Sequence, residues 1–199
     1  MNSDDMTAEF IDSLAVMLLA LGMTTAVGSM YFLFSALGNE KKIQSLLFPA
    51  AGIGVFDFLS GFIMSFTWPL PSSYNMLFGD PLLMAGLLLT VSAIAYYKHY
   101  DISSVSILLF FLGIYIIIES VGIVNYHLET GNDLLAAMGL YVVDGIAALL
   151  SPVMFIDPKK GKAAYIVEAA ILAIGTLIAL FIGYTAIYGH LLDFIKYFP

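Results

Sequence analysis

Four carboxylic acids stand inside long apolar stretches of this chain: Asp57, Glu119, Asp144 and Glu168. A charge at the centre of a bilayer costs roughly 2.5–3.5 kcal/mol on insertion scales. No lysine, arginine or histidine falls within the same stretches to pair with them. Such acids are expected to hold their protons, and a neutral carboxyl both donates and accepts a hydrogen bond. That chemistry suits the passing of protons or the holding of a small polar solute. It equally suits structural fastening, in which an acid bonded to Tyr, Ser or Thr joins two helices. Three of the acids follow a tyrosine by one turn: Tyr115 precedes Glu119, Tyr141 precedes Asp144, and Tyr165 precedes Glu168. Residues three or four apart share a helix face, so each hydroxyl is expected beside its own acid. Around Asp57 the same spacing gives Gly54, Ser60 and Gly61, small residues that let helices approach closely. Lys162 is also within reach of a Glu168 side chain that snorkels.

These acids need helices to position them. The chain has 199 residues, of which 61% are hydrophobic and 11% charged, against about a quarter charged in a soluble domain. Its mean hydropathy is +0.96. A crossing helix needs about 20 apolar residues, and six segments meet or approach that: 10–37, 46–68, 81–97, 102–126, 134–156 and 163–188. Residues 1–199 thus form a single all-α integral membrane domain, a bundle of six transmembrane helices. Residues 189–199 form a short tail whose Leu191, Leu192, Ile195 and Phe198 suit the membrane surface. Counted from the segment ends, Glu119 lies near one face, Asp57 and Asp144 near the midplane, and Glu168 near the other face. Three helices plus three makes two inverted halves, an arrangement found in many transporters. GVFDFLSGFIMS and YVVDGIAALLSP then occupy matching middle helices. On that symmetry Asp57 and Asp144 are expected to meet and to share one proton.

Lysines orient the bundle. Six of the seven fall between segments one and two, three and four, or five and six: Lys41, Lys42, Lys98, Lys159, Lys160 and Lys162. The other loops and the N-terminal tail carry Asp4, Asp5, Glu9, Asp12, Asp80, Glu129 and Asp133. The positive-inside rule places the lysine loops in the cytoplasm, with both termini extracellular in a multi-pass cell-membrane protein. The loop WPLPSSYNMLFGDPLL is then extracellular. Its Trp68 and Tyr74 suit the headgroup level. Asp80 and Pro81 read as N-cap and first residue of segment three. The loop is expected to fold over the outer mouth as a lid. Thr24, Gly28, Tyr31 and Ser35 make a polar stripe in segment one, expected to be a helix contact.

Other chemistry is excluded or unsupported. There is no cysteine and no arginine, so thiolate metal sites, disulfides and bidentate clamps are absent. A net charge of −8 argues against nucleic acid. No hydrolase, P-loop, dinucleotide or zinc-protease motif appears, so neither an enzyme nor a cofactor is expected. His99, His127 and His190 lie outside the apolar cores, which disfavours haem. His127, Glu129, His190 and Asp193 could ligate a metal, but their spacing carries no signature.

The run WPLPSSYNMLFGDPLLMAGLLL, on a six-segment chain of this length, resembles a family of small archaeal and bacterial membrane proteins, domain of unknown function 981. That resemblance implies the six-helix topology and no activity. The architecture is broadly similar to acetate/succinate transporters, without their Asn-Pro-Ala-Pro type of signature. The expected function is a small channel or secondary transporter for protons or a small organic acid. The alternative is a non-catalytic accessory or assembly subunit of a larger membrane complex, or a homo-oligomer. Because the chain lacks cysteine, the orientation has a direct check. Cysteines at Ser3 and Gly131 should react with an impermeant thiol reagent applied outside intact cells, and one at Gly161 should not; external labelling of Gly161 would invert the topology.

Overall fold

A backbone in lipid must satisfy its own polar groups, which for a chain of long apolar runs means helices. The computed structural model describes residues 13–70, 73–156 and 161–197, and the side chains among them except those of 155–156 and 193–197. The helices are α1 (Ser13–Ala36), α2 (Glu40–Thr67), α3 (Asp80–Tyr97), α4 (Ser103–Asn125), α5 (Gly131–Ile156) and α6 (Gly161–Tyr197), with one π-helical turn (Asn75–Gly79) leading into α3. Six spans are long and apolar enough to cross a membrane, the third counting the π turn with α3. The N-terminal acids, Lys159 and Lys160, and the side chains of Asp193 and Lys196 lie outside the described residues.

Two boundaries depart from expectation, each for a local reason. Helix α2 starts at Glu40 rather than near residue 46, because Asn39 caps it: the Lys42 N–H donates to Asn39 Oδ1 at 3.2 Å, satisfying an orphan donor of the first turn. The separate tail from residue 189 does not exist as such, since α6 runs on to Tyr197. Nothing in GHLLDFIKY stops a helix; its one glycine costs only about 1 kcal/mol, and the next proline is Pro199. Elsewhere the helix ends are closed in the ordinary way. The N–H groups of Asn39, Tyr100 and Leu128 reach back to the carbonyls of Phe34, Ala95 and Ile123 at 2.9–3.1 Å, the wrap that follows a left-handed residue at a helix C-terminus. That residue is Gly38 after α1, but His99 and His127 after α3 and α4. At the start of α4, Ser103 donates from its N–H and its hydroxyl to Asp101, and these bonds hold the Asp101 carboxyl below its ordinary range.

Each helix packs on its chain neighbours, and α6 returns to α1, so the six form a closed ring. The closest interfaces are α1–α6, α2–α3 and α4–α5. Halving the chain after α3 therefore divides it by sequence order, not by packing. Glycine makes these three seams possible. A Cβ at Gly86 would fall 2.6 Å from the Gly54 carbonyl oxygen and 2.7 Å from Asp57 Cβ; one at Gly113 would fall 2.7 Å from the Leu149 nitrogen; one at Gly22 would fall 2.8 Å from Leu180 Cδ2. Close backbone approach of this kind replaces the hydrophobic drive that lipid does not supply. Large apolar side chains point outward instead, Phe48, Leu177 and Phe66 being 90%, 70% and 69% exposed.

The seams can be tested by adding one methyl group. Gly86→Ala should lower stability by about 1–3 kcal/mol, since backbone atoms of α2 cannot give way. Gly52→Ala, where nothing lies within 4 Å, should be neutral or slightly stabilising. Thermal unfolding of the two variants in detergent separates them; equal stability would show that the α2–α3 seam is not glycine-dependent.

Candidate functional site

A partly open cavity of about 210 Å³ lies among the helices. Helices α1, α3, α4, α5 and α6 and the π turn line it, and α2 contributes nothing. Most of the wall is apolar, and leucine is its commonest residue. The polar part comes from Thr24, Thr25, Ser92, Tyr141, Asp144, Ser151 and Glu168. No lysine, arginine or histidine is among the lining residues.

Two of the four acids thus reach the cavity directly. Glu168 is 1% exposed, and its Oε2 is buried without a hydrogen-bond partner. It faces inward to the cavity, while Lys162 stays exposed at the start of α6. Asp144 lies in a notch on α6: a Cβ at Gly175 would collide with Asp144 Oδ1. That oxygen too is buried and unpartnered. The local sequence explains the notch, because only glycine leaves room for a carboxyl against the neighbouring backbone.

Asp57 is fully buried but stands one step behind the wall. Thr24, which lines the cavity, donates its hydroxyl to Asp57 Oδ2, and Asp57 Oδ1 has no partner. The expected meeting of Asp57 with Asp144 does not occur. No hydrogen bond joins them, and α2 packs on α1 and α3 while α5 packs on α4 and α6. The small residues Gly54 and Gly61 draw α2 onto α3, and this turns Asp57 into the seam with Gly86 against its Cβ. Thr24 and Gly28 are correspondingly more than a helix contact, since both line the cavity.

Glu119 is 7% exposed, and neither of its carboxyl oxygens has a hydrogen-bond partner within ordinary geometry. It is not a lining residue, although Ile116, one turn earlier on α4, is. The expected pairing of tyrosines with acids on the same helix fails for Tyr141 and Tyr165; Tyr115 stays close enough to Glu119 to interact with it, although its well-formed hydrogen bond goes elsewhere. Tyr115 donates to Asp80 Oδ2 at 2.9 Å, Tyr141 to the Leu77 carbonyl, and Tyr165 to the Met154 carbonyl at 3.3 Å. Side chains on a helix lean toward its N-terminus. A long tyrosine therefore carries its hydroxyl past the preceding turn and onto a neighbouring element, while the short acid behind it ends near the ring stem.

The loop between α2 and α3 is ordered by a device the sequence reading passed over. Asn75 is fully buried and bonds both backbone groups of Leu70: its Oδ1 accepts from Leu70 N–H at 2.8 Å and its amide donates to the Leu70 carbonyl. A single asparagine in an uncharged loop was the available signal. Asp80 is not an N-cap. Its backbone is helical, the π turn runs straight into it, and no side-chain cap bond forms there. Pro81 has no N–H, so the Leu77 carbonyl four residues earlier loses its α-helical donor, and the Tyr141 hydroxyl supplies one. Of the expected lid residues, Trp68 is a half-exposed left-handed C-cap of α2. Tyr74 stacks on Phe78 with ring centres 6.2 Å apart, and burial followed by the nearby Glu129 carboxylate pushes its hydroxyl above the ordinary range. The residues of this loop that touch the cavity are Leu77 and Phe78. The His127, Glu129 and His190 set does not assemble: among the described residues no three such side chains are placed to hold a metal ion.

Six membrane-length helices around a cavity faced by acids define a multi-pass α-helical membrane protein. The chain belongs to the family described as "Protein of unknown function (DUF981)", whose sequence profile matches residues 6–193. No curated protein matches it, and no solved structure does.

The Tyr141 bond carries a prediction for the site. Tyr141→Phe leaves the Leu77 carbonyl buried without a donor and should cost about 1–3 kcal/mol. Tyr165→Phe, which removes a longer and weaker bond, should cost less. Equal thermal stabilities of Tyr141→Phe and the parent protein would sink the role assigned to Tyr141.

Proposed function

We propose that this protein is a small channel or secondary transporter whose transported species includes the proton, held on Asp144 and Glu168. The observation that carries the reading is the cavity among five helices, with Asp144 and Glu168 among its lining residues and a buried, unpartnered oxygen on each. A buried polar atom left unpaired costs stability, and the same atom pays for itself where it binds a proton or a solute. Asp57 acts through Thr24, as a reserve acid behind the wall. Glu119, with Tyr115 and Asp80, is the relay toward the α2–α3 loop. Of the transported species expected from the sequence, the proton is served directly. An organic acid would enter in its neutral form, because no cation lines the cavity. The lysine-bearing loops face the cytoplasm, which makes the α2–α3 loop the outer gate and places both termini outside.

The test is proton flux in liposomes containing the purified protein. Asp144→Asn and Glu168→Gln should each reduce flux to the level of protein-free liposomes while keeping the fold, since an amide replaces a neutral carboxyl in a hydrogen bond. Parent protein that leaves the liposomes as tight as protein-free ones would overturn the transport reading and favour the accessory-subunit alternative.

A further inference from the structure

We infer that the solute taken by the central cavity is a small organic cation, a protonated amine on a single-ring or branched apolar body, and not an organic anion. This rests on the reading above, that the cavity is the solute site, and it names the solute's chemistry. The titratable side chains lining the cavity are Asp144, Glu168 and Tyr141; Asp57 stands behind Thr24, and α1, α3 and α4 contribute no titratable group to the wall. An anion entering there meets no positive charge. Beside an ionised acid it would be repelled, and a cation would be attracted.

The acids are also placed to receive a donor. Glu168 is 1% exposed, with Oε2 buried and unpartnered, and Asp144 Oδ1 is in the same state. An ammonium group has three N–H donors and no acceptor, the complement of carboxylate oxygens that lack donors. Ionising a buried acid alone is unfavourable, and a cation bound with it offsets that cost. The exchange is balanced: a carboxylic acid and an ammonium ion become a carboxylate–ammonium pair, and the acid's proton leaves. Amine uptake and proton release are thus one step at one site, which is the arrangement an exchanger needs.

The rest of the wall sets the body of the solute. It is apolar, and Phe32, Phe78 and Tyr141 present rings to it, surfaces that attract a cation as well as an apolar group. Size sets the limit. A cavity of roughly 150 Å³ takes benzene, and drug-sized ligands occupy about 300 Å³ or more. At about 210 Å³ this site fits one ring with a short amine arm.

Calorimetric titration of the purified protein in detergent at neutral pH tests the inference, with benzylamine, benzyl alcohol and benzoate as matched cation, neutral and anion. Benzylamine should bind saturably, benzyl alcohol more weakly, and benzoate not at all. Asp144→Asn combined with Glu168→Gln should weaken benzylamine by about ten- to hundredfold, the loss of charge-assisted hydrogen bonds. Ala148→Leu, which narrows the cavity and leaves both acids in place, should also weaken it; thermal unfolding of each variant confirms the fold. Benzoate binding as tightly as benzylamine, or benzylamine binding unchanged in both variants, overturns the cation assignment. Proton flux that needs Asp144 without any benzylamine binding overturns this inference alone. Absence of both flux and binding overturns it together with the transport reading.

Discussion

Lipid offers no hydrogen bonds, so every polar atom carried into the membrane must find its partner within the protein. Most of this structure can be derived from that constraint. The Leu77 carbonyl, deprived of a donor by Pro81, takes one from Tyr141. The two backbone groups of Leu70 are both met by Asn75. Serine and threonine hydroxyls turn back to their own helix carbonyls, as Thr90 does to Gly86 at 2.8 Å, or cross to the next helix, as Ser29 does to Ala169 at 2.7 Å. Against this thrift Asp57, Glu119, Asp144 and Glu168 stand out, each with at least one carboxyl oxygen buried and unpartnered. Apart from the Ser13 and Ser65 hydroxyls, the exceptions among the described side chains fall on the residue type that can also hold a proton.

The same constraint explains what could be read from the sequence. Span number and order follow from apolar length alone, and five of the six expected segments coincide with the helices to within about six residues at either end. The acids were legible because a carboxyl in an apolar run is costly wherever it faces. What could not be read was the neighbour. Helical periodicity says which residues share a face, and says nothing of which helix that face meets. Asp57 and Asp144 have equal depth and similar surroundings in sequence, yet Asp57 is held in a seam by Gly86 and Thr24 while Asp144 rests in the notch at Gly175. The tyrosines failed for a related reason. A shared face is not a contact: the reach of the side chain carries the Tyr141 and Tyr165 hydroxyls to backbone carbonyls of other elements. Asp80 failed because N-cap chemistry presumes a helix that begins there, and the π turn has already begun it.

Charge is sorted along the molecule more sharply than the net value of −8 suggests. The lysines whose side chains are described stand at one end, with Lys41 and Lys42 in the first turn of α2, Lys98 after α3 and Lys162 in the first turn of α6. Among the described side chains, acids enter the bundle and lysines do not. A lysine inside would have neutralised one of them as a fixed ion pair and removed its freedom to exchange a proton. An interior with acids and no bases keeps that freedom.

The division of labour among the helices then has a physical basis. Glycine seams fix three helix pairs at close range, where no side chain can intervene. Such seams cannot also hold a solute, because their packing leaves no volume. The cavity therefore lies where pairs meet one another rather than within any pair, and its wall takes Thr24 from one, Leu88 from the second and Asp144 from the third. Helix α2 gives its small face wholly to α3 and so is absent from the wall, which is why Asp57, buried as deeply as any acid in the chain, touches the cavity only through the hydroxyl of Thr24. A fastening acid would be expected where the helices are closest and its bonds are complete. Asp57 fits that description on one oxygen. Asp144 and Glu168 lie at the meeting of pairs; Asp144 is seated close against Gly175, but each has a buried oxygen without a bond, so neither has the complete bonds of a fastening acid.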